Sequence, residues 1–399
     1  MPNLQLRVIP YMRDIAARDW DGLLARQARP TPFMRHAYLL AMEESGSATP
    51  DTGWQAQHIT LWDGDELVAA CPLYAKTHSY GEYVFDFAWA RAYAEHGLHY
   101  YPKAVIAVPF TPVPGSRLLV AEDALRVPLL QAAMDWCTAQ KLSSLHLLFA
   151  DEADLQAAQS ARLMQRETVQ FHWHNYRPLD ASAQPYADFD DFLSSLQQEK
   201  RKKIRQERRK VRDAGVQFRH ALGSAISEVD WAFFYRCYER TYLEHGNAPY
   251  LTPAFFDAMR RSMPENWLLF IAEHNDKPIA TSLIAVSAEP TGANNQNHRT
   301  AYGRYWGALE RVDSLHFEAC YYQPIEWCIA QRYVHFEGGA QGEHKMARAL
   351  LPISTPSAHW VAQPDFAQAI GRYLERETEH LQAYQEELQT HSPLKKSTY

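Results

Sequence analysis

Cysteine is scarce in this chain: five residues in 399, at Cys71, Cys137, Cys237, Cys320 and Cys328, with no C-x-x-C pair and no regular spacing. Such a set supports neither a disulfide frame nor a zinc ribbon. The eighteen histidines also lack zinc-ligand spacing, so no metal site is expected. No apolar run reaches the length of a membrane span, and the first twenty residues carry Arg7, Arg13, Asp14, Arg18 and Asp19 where a secretory signal needs an apolar core. A cytoplasmic protein without a span is therefore expected. Glycine (17) and proline (23) are too few for collagen-like or low-complexity classes, and 46% hydrophobic residues exclude disorder. Positive charge is also in deficit: the formal net of −7 argues against a surface that coats nucleic acid.

Against that deficit stands one basic run. From Lys200 to Arg212 nine residues are basic and only Glu207 is acidic. Asp188, Asp190 and Asp191 precede it, where a helix N-terminus favours carboxylates, and Asp188-x-x-Asp191 resembles a capping arrangement. Phe192, Leu193, Leu196, Ile204 and Val211 give a thin apolar stripe and Gly215 a stop. The pattern predicts one basic helix over 189–213. Its charges are either a solvated face or a polyanion-binding surface, with Lys202, Lys203, Arg205, Arg208 and Arg209 as the contacting residues. Like charge at helical spacing repels, and an anionic partner such as RNA would relieve it.

Length alone suggests two domains or one doubled domain, and the chain repeats itself. Asp135-Trp136-Cys137-Thr138-Ala139-Gln140 returns 191 residues later as Glu326-Trp327-Cys328-Ile329-Ala330-Gln331. Each copy precedes a short apolar run, ending at Phe149 and Phe336. From there Trp173 and Trp360 follow after the same 24 residues. Upstream, 59–75 and 270–286 both read as hairpins around polar turns. The expected architecture is α/β (α+β): two tandem modules over 1–178 and 185–362, each a mixed sheet flanked by helices. A C-terminal helix and tail over 363–399 follow. In the first copy, Tyr83, Phe85, Phe87 and Trp89 alternate with other residues and predict a strand with one aromatic face, either core or an aromatic groove.

Candidate chemistry lies where the copies differ. After Phe336 the second copy reads Glu337-Gly338-Gly339-Ala340-Gln341-Gly342-Glu343-His344-Lys345, with Arg348 one turn on. Three glycines let backbone N–H groups approach a ligand, and Lys345 and Arg348 add positive charge on one face: an anion or acyl-group site, or else a tight structural turn. It is neither a P-loop nor a dinucleotide fingerprint. The helix beginning Ser314-Leu315-His316-Phe317-Glu318 places an imidazole and a carboxylate within one turn, and either His316 or Glu318 is the candidate general base. Cys320, among apolar and aromatic neighbours, is a poor nucleophile candidate.

Tyr305-Trp306-Gly307, the run from Leu315 through Gln323, the segment from Phe336 to Lys345 and Ser357-Ala358-His359-Trp360 together resemble the Fem aminoacyltransferase superfamily, in its peptidoglycan biosynthesis/recognition branch. The resemblance spans nearly the whole chain. It implies paired GNAT-type modules that transfer an acyl or aminoacyl group to an amine on a small molecule, a peptide or a cell-wall precursor. Glu318, His316 and Lys345 would be the catalytic group. Tyr305, Trp306, Tyr322, Gln323, Glu337, Gly339, Gln341, Gly342, His344 and Arg348 would bind substrate. It also implies no tightly bound cofactor but an activated co-substrate, either aminoacyl-tRNA held by the basic helix or acyl-CoA. The glycine pattern that acetyl-CoA enzymes place after the central strand is absent from 310–316. A non-catalytic peptide- or glycan-binding protein is the third reading of the same fold.

Overall fold

A computed structural model describes residues 4–176, 184–287, 299–340 and 342–395. The chain divides into two compact units: Met1–Thr168 with Ser354–Gln385, and Val169–Ile353 with Glu386–Tyr399.

The first unit holds two sheets. One has the order β1-β3-β4-β7, built from Leu4–Ile9 (β1), His58–Asp63 (β3), Glu66–Cys71 (β4) and Leu119–Val120 (β7). In the other, Trp54–Ala56 (β2) pairs with Leu73–Lys76 (β5), β5 with Lys103–Ile106 (β6), and β6 in parallel with Ser144–Leu148 (β8). Met164–His174 is β9. The core between strands and the helix Arg126–Ala139 is aliphatic, with Leu129, Leu130, Leu145 and Leu147 fully buried. The C-terminal helix, Pro364–Thr390, lays Ile370 and Leu374 against Trp89, Tyr93 and Tyr100.

Within the second unit the strand order is β10-β11-β12-β13-β14-β9. Val216–Leu222 (β10), Trp267–His274 (β11), Lys277–Val286 (β12) and Thr300–Ala308 (β13) run antiparallel. His335–Ala340 (β14) then runs parallel to β13. The β11–β12 turn puts Asn275 and Asp276 at φ 51° and 57°, the left-handed pair a two-residue hairpin requires and that Asn and Asp tolerate. The last strand, β15, is Leu351–Val361.

Two adjacent ladder positions recur in both units, although Phe336 matches Leu145 and not Phe149. In the first unit β8 lies beside β6 and β15, with Leu145 opposite Ala104 and Trp360, and His146 opposite Val105 and His359. In the second, β14 lies between β13 and β9, with Phe336 opposite Ala301 and Trp173, and Glu337 opposite Tyr302 and His172. Leu145 and Phe336 are separated by the same 191 residues as Trp136 and Trp327. The mixed α/β class follows from these parallel and antiparallel pairings.

Two local expectations fail. The basic helix is broken: Phe189–Ser194 and Gln198–Asp213 are separate helices. The cause is tertiary, because the Gln197 amide donates to the Pro393 carbonyl at 2.8 Å and its side chain to the Ser392 carbonyl, which holds Gln197 extended. The alternating aromatics form no strand. Phe87–Glu95 is a helix that buries Trp89 and Tyr93, four apart, and exposes Phe87, with Phe85 exposed just before it.

One close approach fixes a residue type. A Cβ on Gly307 of β13 would lie 2.0 Å from the Cys237 carbonyl oxygen of the helix Glu228–Glu244. Gly307→Ala is expected to cost about 1–3 kcal/mol or more by overpacking. Gly22→Ala, with nothing within 4 Å of its Cβ in the helix Ala17–Leu24, is expected to gain about 0.5–1 kcal/mol. Urea unfolding of the two variants checks both signs.

Candidate active site

The helical segment 315–330 carries most of the candidate residues, and it is not a regular helix. After Leu315–Phe317 the chain makes a π turn, Glu318–Tyr322, before resuming as Gln323–Ala330. Pro324 explains it: proline has no N–H for the Cys320 carbonyl and its ring crowds that carbonyl, so the turn widens by one residue. Regular α-helical spacing would set His316, Cys320, Gln323 and Trp327 on one face, and the widened turn interrupts that spacing.

Glu318 and Tyr322 instead meet the arginine-rich helix Gln198–Asp213. Arg208 reaches Glu318 Oε1 at 3.1 Å and Glu326 at 2.6 Å, with its guanidinium 4.5 Å over the Phe189 ring. Gln323 Nε2 donates to the same Glu318 oxygen at 2.8 Å. Glu318 is 4% exposed, and its Oε2 has no hydrogen-bond partner among the described residues. One residue before Arg208, buried Glu207 accepts two bonds from Arg348 at 2.9 and 3.0 Å and one from the Tyr322 hydroxyl. Arg348 also donates to the His344 carbonyl at 2.6 Å and stacks 3.5 Å over the Phe317 ring.

Between the two helices lies a cavity of about 780 Å³. One wall bears Arg205, Arg208, Arg209 and Arg212, the other Glu318, Gln323 and Glu326, over an apolar base that includes Phe189 and Phe218. The basic run and the candidate base, read separately in the sequence, thus share one site. Lys202 and Lys203 are exposed and do not line this cavity.

His316 stands in an aromatic cluster beside it, 5.4 Å from the Trp306 ring and 5.7 Å from Tyr321, whose hydroxyl bonds His344 at 3.2 Å. Burial, then the positive charge of His344, Arg348 and Lys345, pushes His316 down to about 4, so its imidazole is neutral at neutral pH. Burial raises the Cys320 thiol to about 12, in keeping with an unreactive group. Lys345 donates from Nζ to the carbonyls of Gly338 at 2.7 Å and Gly339 at 3.2 Å, and burial brings its ammonium down to about 8. Gly339 and Gly342 take φ of +79° and +103°, so the loop does need glycine there. Glu337 is buried in β14, 3.9 Å from His172. Tyr305 packs against Tyr238 and Phe256, away from the cavity lining. Gln341 lies outside the described residues.

The chain matches one known family, FemAB-like, described as peptidoglycan biosynthesis/recognition, over residues 11–396. It belongs to the FemAB-like family. This is the branch that the run from Leu315 to Lys345 resembles. No curated protein matches this FemAB-like chain. Among solved structures it is similar to FemX, at 11% identity over 90% of this chain and 98% of that one, with a TM-score of 0.49. It is similar to a tandem GNAT protein from the clavulanic acid biosynthesis pathway at 12% identity, over 91% and 99% of the two chains, with a TM-score of 0.45. L-PGS from Bacillus licheniformis is similar at 9% identity, over 88% and 98%, with a TM-score of 0.48. No helix among the described residues is long and apolar enough to cross a membrane.

Sequence reading missed a second ionisable cluster, in the first unit of the FemAB-like fold. Lys103, fully buried, bonds Glu82 at 2.7 Å and contacts Asp86, which also accepts from the Tyr100 hydroxyl at 2.6 Å. Tyr100 continues to His146, and His146 to His359. Lys76 sits 3.6 Å over the Trp54 ring. Burial pushes Glu82 up to about 7 against the pull of Lys103, and pushes Lys76 down to about 7. Because folded Glu82 titrates above its ordinary 4.5, the folded state holds a proton between pH 4.5 and 7 that the unfolded chain has lost. Stability from this group therefore falls as pH rises through that window. Glu82→Gln is expected to flatten that fall, measured as urea midpoints at pH 5 and pH 7.5. Lys76 acts with the opposite sign and above pH 7, so it does not mimic the effect.

Proposed function

We propose that this FemAB-like protein transfers an acyl or aminoacyl group from an activated ester or thioester to an amine. The observation that carries the reading is Glu318: a buried carboxylate on the lining of an arginine-bearing cavity, with one oxygen held by Arg208 and Gln323. The amine nitrogen attacks the donor carbonyl carbon, forming the C–N bond. Its proton passes to the Glu318 carboxylate as general base. The tetrahedral oxyanion collapses, the C–O or C–S bond breaks, and Glu318 returns the proton to the departing alcohol or thiol. The neutral His316 is the second base candidate, but its aromatic neighbours give it no orienting carboxylate.

Lys202, Lys203, Arg205 and Arg209, exposed on the arginine-rich helix, suit the phosphates of a polyanionic donor such as an aminoacyl-tRNA. Such contacts weaken steeply with salt. The family's description favours a peptide amine of a cell-wall precursor as acceptor. Arg348 and Lys345 act here as positioning residues, through Phe317, His344 and the Gly338–Gly339 carbonyls.

Glu318→Gln is expected to lower turnover by about tenfold to a thousandfold with the thermal midpoint retained. The assay offers aminoacyl-tRNA or acyl-CoA with a panel of peptide amines and follows amide formation by mass spectrometry. Wild-type turnover in the variant removes Glu318 from the mechanism. Amide formed only from acyl-CoA, with free thiol released, assigns the donor to the second class.

A further inference from the structure

The strand order of the second unit ends on β10, and that edge is open. Val216–Leu222 pairs with β11 through seven consecutive positions without a shift of register, and no strand lies on its other side among the described residues. In an antiparallel ladder every second residue turns its N–H and C=O away from the partner strand. None of the seven has a backbone hydrogen bond outside the β11 ladder among the described residues. Neither a proline nor a bulge blunts this edge. The two faces of the strand differ. Val216 and Phe218 line the cavity that Glu318 also lines. Arg219 falls on the opposite face, where it bonds Asp230 at 2.6 Å and Glu273 at 2.7 Å and still leaves 43% of its side chain exposed. The strand contains no acid.

We propose that the amine acceptor is an extended peptide that adds to β10 as a further strand, with its amine-bearing side chain on the Phe218 face and its acids on the Arg219 face. The proposal rests on the transferase reading and adds the acceptor's conformation and charge pattern. Main-chain pairing along the edge supplies affinity, and alternate side chains supply selectivity. Every second side chain of the added strand lies on the cavity face, which continues past Phe218 into the exposed His220 and Leu222. Charge selects this occupant over a second copy of the chain. Two β10 strands paired antiparallel about their midpoint would set Arg219 opposite Arg219, and like charges directly opposed are unfavourable. A glutamate opposite Arg219 is favourable for the same reason. The arginine-rich helix is left to the donor.

The test uses the full-length protein and the peptide acetyl-Glu-Lys-Glu-Val-Glu-amide, whose alternation puts Lys and Val on one face and the acids on the other. One derivative is N-methylated at Lys and Val, a second at the two glutamates that follow them. Calorimetry reads binding, and mass spectrometry reads hydrogen exchange in 216–222. The parent peptide is expected to slow that exchange. One derivative is expected to bind about tenfold or more weaker than the parent, because its methyl groups replace the N–H groups that face β10, and the other within about threefold of it. A parent with glutamine in place of every glutamate is expected to bind about threefold or more weaker. Equal effects of the two N-methylation patterns overturn the proposal. So does unchanged exchange in 216–222 at millimolar parent, or equal or tighter binding of the glutamine peptide. The transferase reading fails separately. Amide formed on the parent's lysine, and equally on both derivatives, keeps that reading and removes the added strand. The alternating binding pattern with no amide from aminoacyl-tRNA or acyl-CoA keeps the added strand and removes the transferase.

Discussion

The second unit depends on one buried carboxylate. Glu207 lies 141 residues before Arg348 and 115 before Tyr322, and it ties three segments that share no local sequence: the arginine-rich helix, the π-turn helix and the turn Glu343–Arg348. A buried ion pair of this kind adds little net stability over an apolar replacement, but removing one partner strands the other's charge. Its value is positional. Glu207 and Arg208 are consecutive and project about 100° apart on a helix, so anchoring Glu207 to Tyr322 sets the angle at which Arg208 meets Glu318. Arg348 extends the same restraint to Phe317 and to the His344 carbonyl.

The π turn is the complementary constraint, imposed by the backbone. Regular 3.6-residue winding through Pro324 would need a donor that proline lacks. The extra residue separates Tyr321 from Tyr322, so that one hydroxyl reaches His344 and the next reaches Glu207. Two adjacent tyrosines thereby serve two different networks. Without the widened turn, neither the Arg208–Glu318 contact nor the His316–Trp306 packing would keep its present partner.

Much of the scaffold was legible in the chain, because hairpin turns, strand register and helix caps are local or periodic. Asn275-Asp276 marks a turn by its tolerance of positive φ. Asp188 caps the helix that its position announces. The Trp136/Trp327 repeat fixes an offset that the strand pairing keeps. The site was legible only in pieces. The basic run and the His316–Glu318 turn were each visible, yet nothing local says that Arg208 crosses 110 residues to Glu318. Glu207 was visible only as the one acid in a basic run, and that oddity was the available signal. Alternating aromatics at 83–89 also contain a spacing of four into Tyr93, and burial against the C-terminal helix chose the helix over the strand. The Lys103 cluster draws Glu82 and Asp86 from a loop and His146 from another strand; no spacing reveals such a set.

The matching ladder positions of the two units hold different ionisable groups. A residue in a central strand answers chiefly to the side chain directly across from it. At the repeated position the first unit places His146 against His359, joined Nδ1 to Nδ1 at 2.7 Å, and burial pushes His146 down to about 3. One ring nitrogen of the pair donates to the other, and His146 also bonds Tyr100 and Ser144. The second unit places Glu337 against His172, a pairing of carboxylate with imidazole that brings an acid onto the strand beside the glycine loop. The two ladders share a register at these positions and differ in their ionisable content. The first unit's charges are gathered inward around Lys103, in contact with one another. In the second, four arginines on one helix face open toward a cavity, and two of them have no protein carboxylate to answer. Different side-chain pairs on matching ladder positions, within one kind of sheet, accompany a sealed ionic core in one unit and an open arginine-lined cavity in the other.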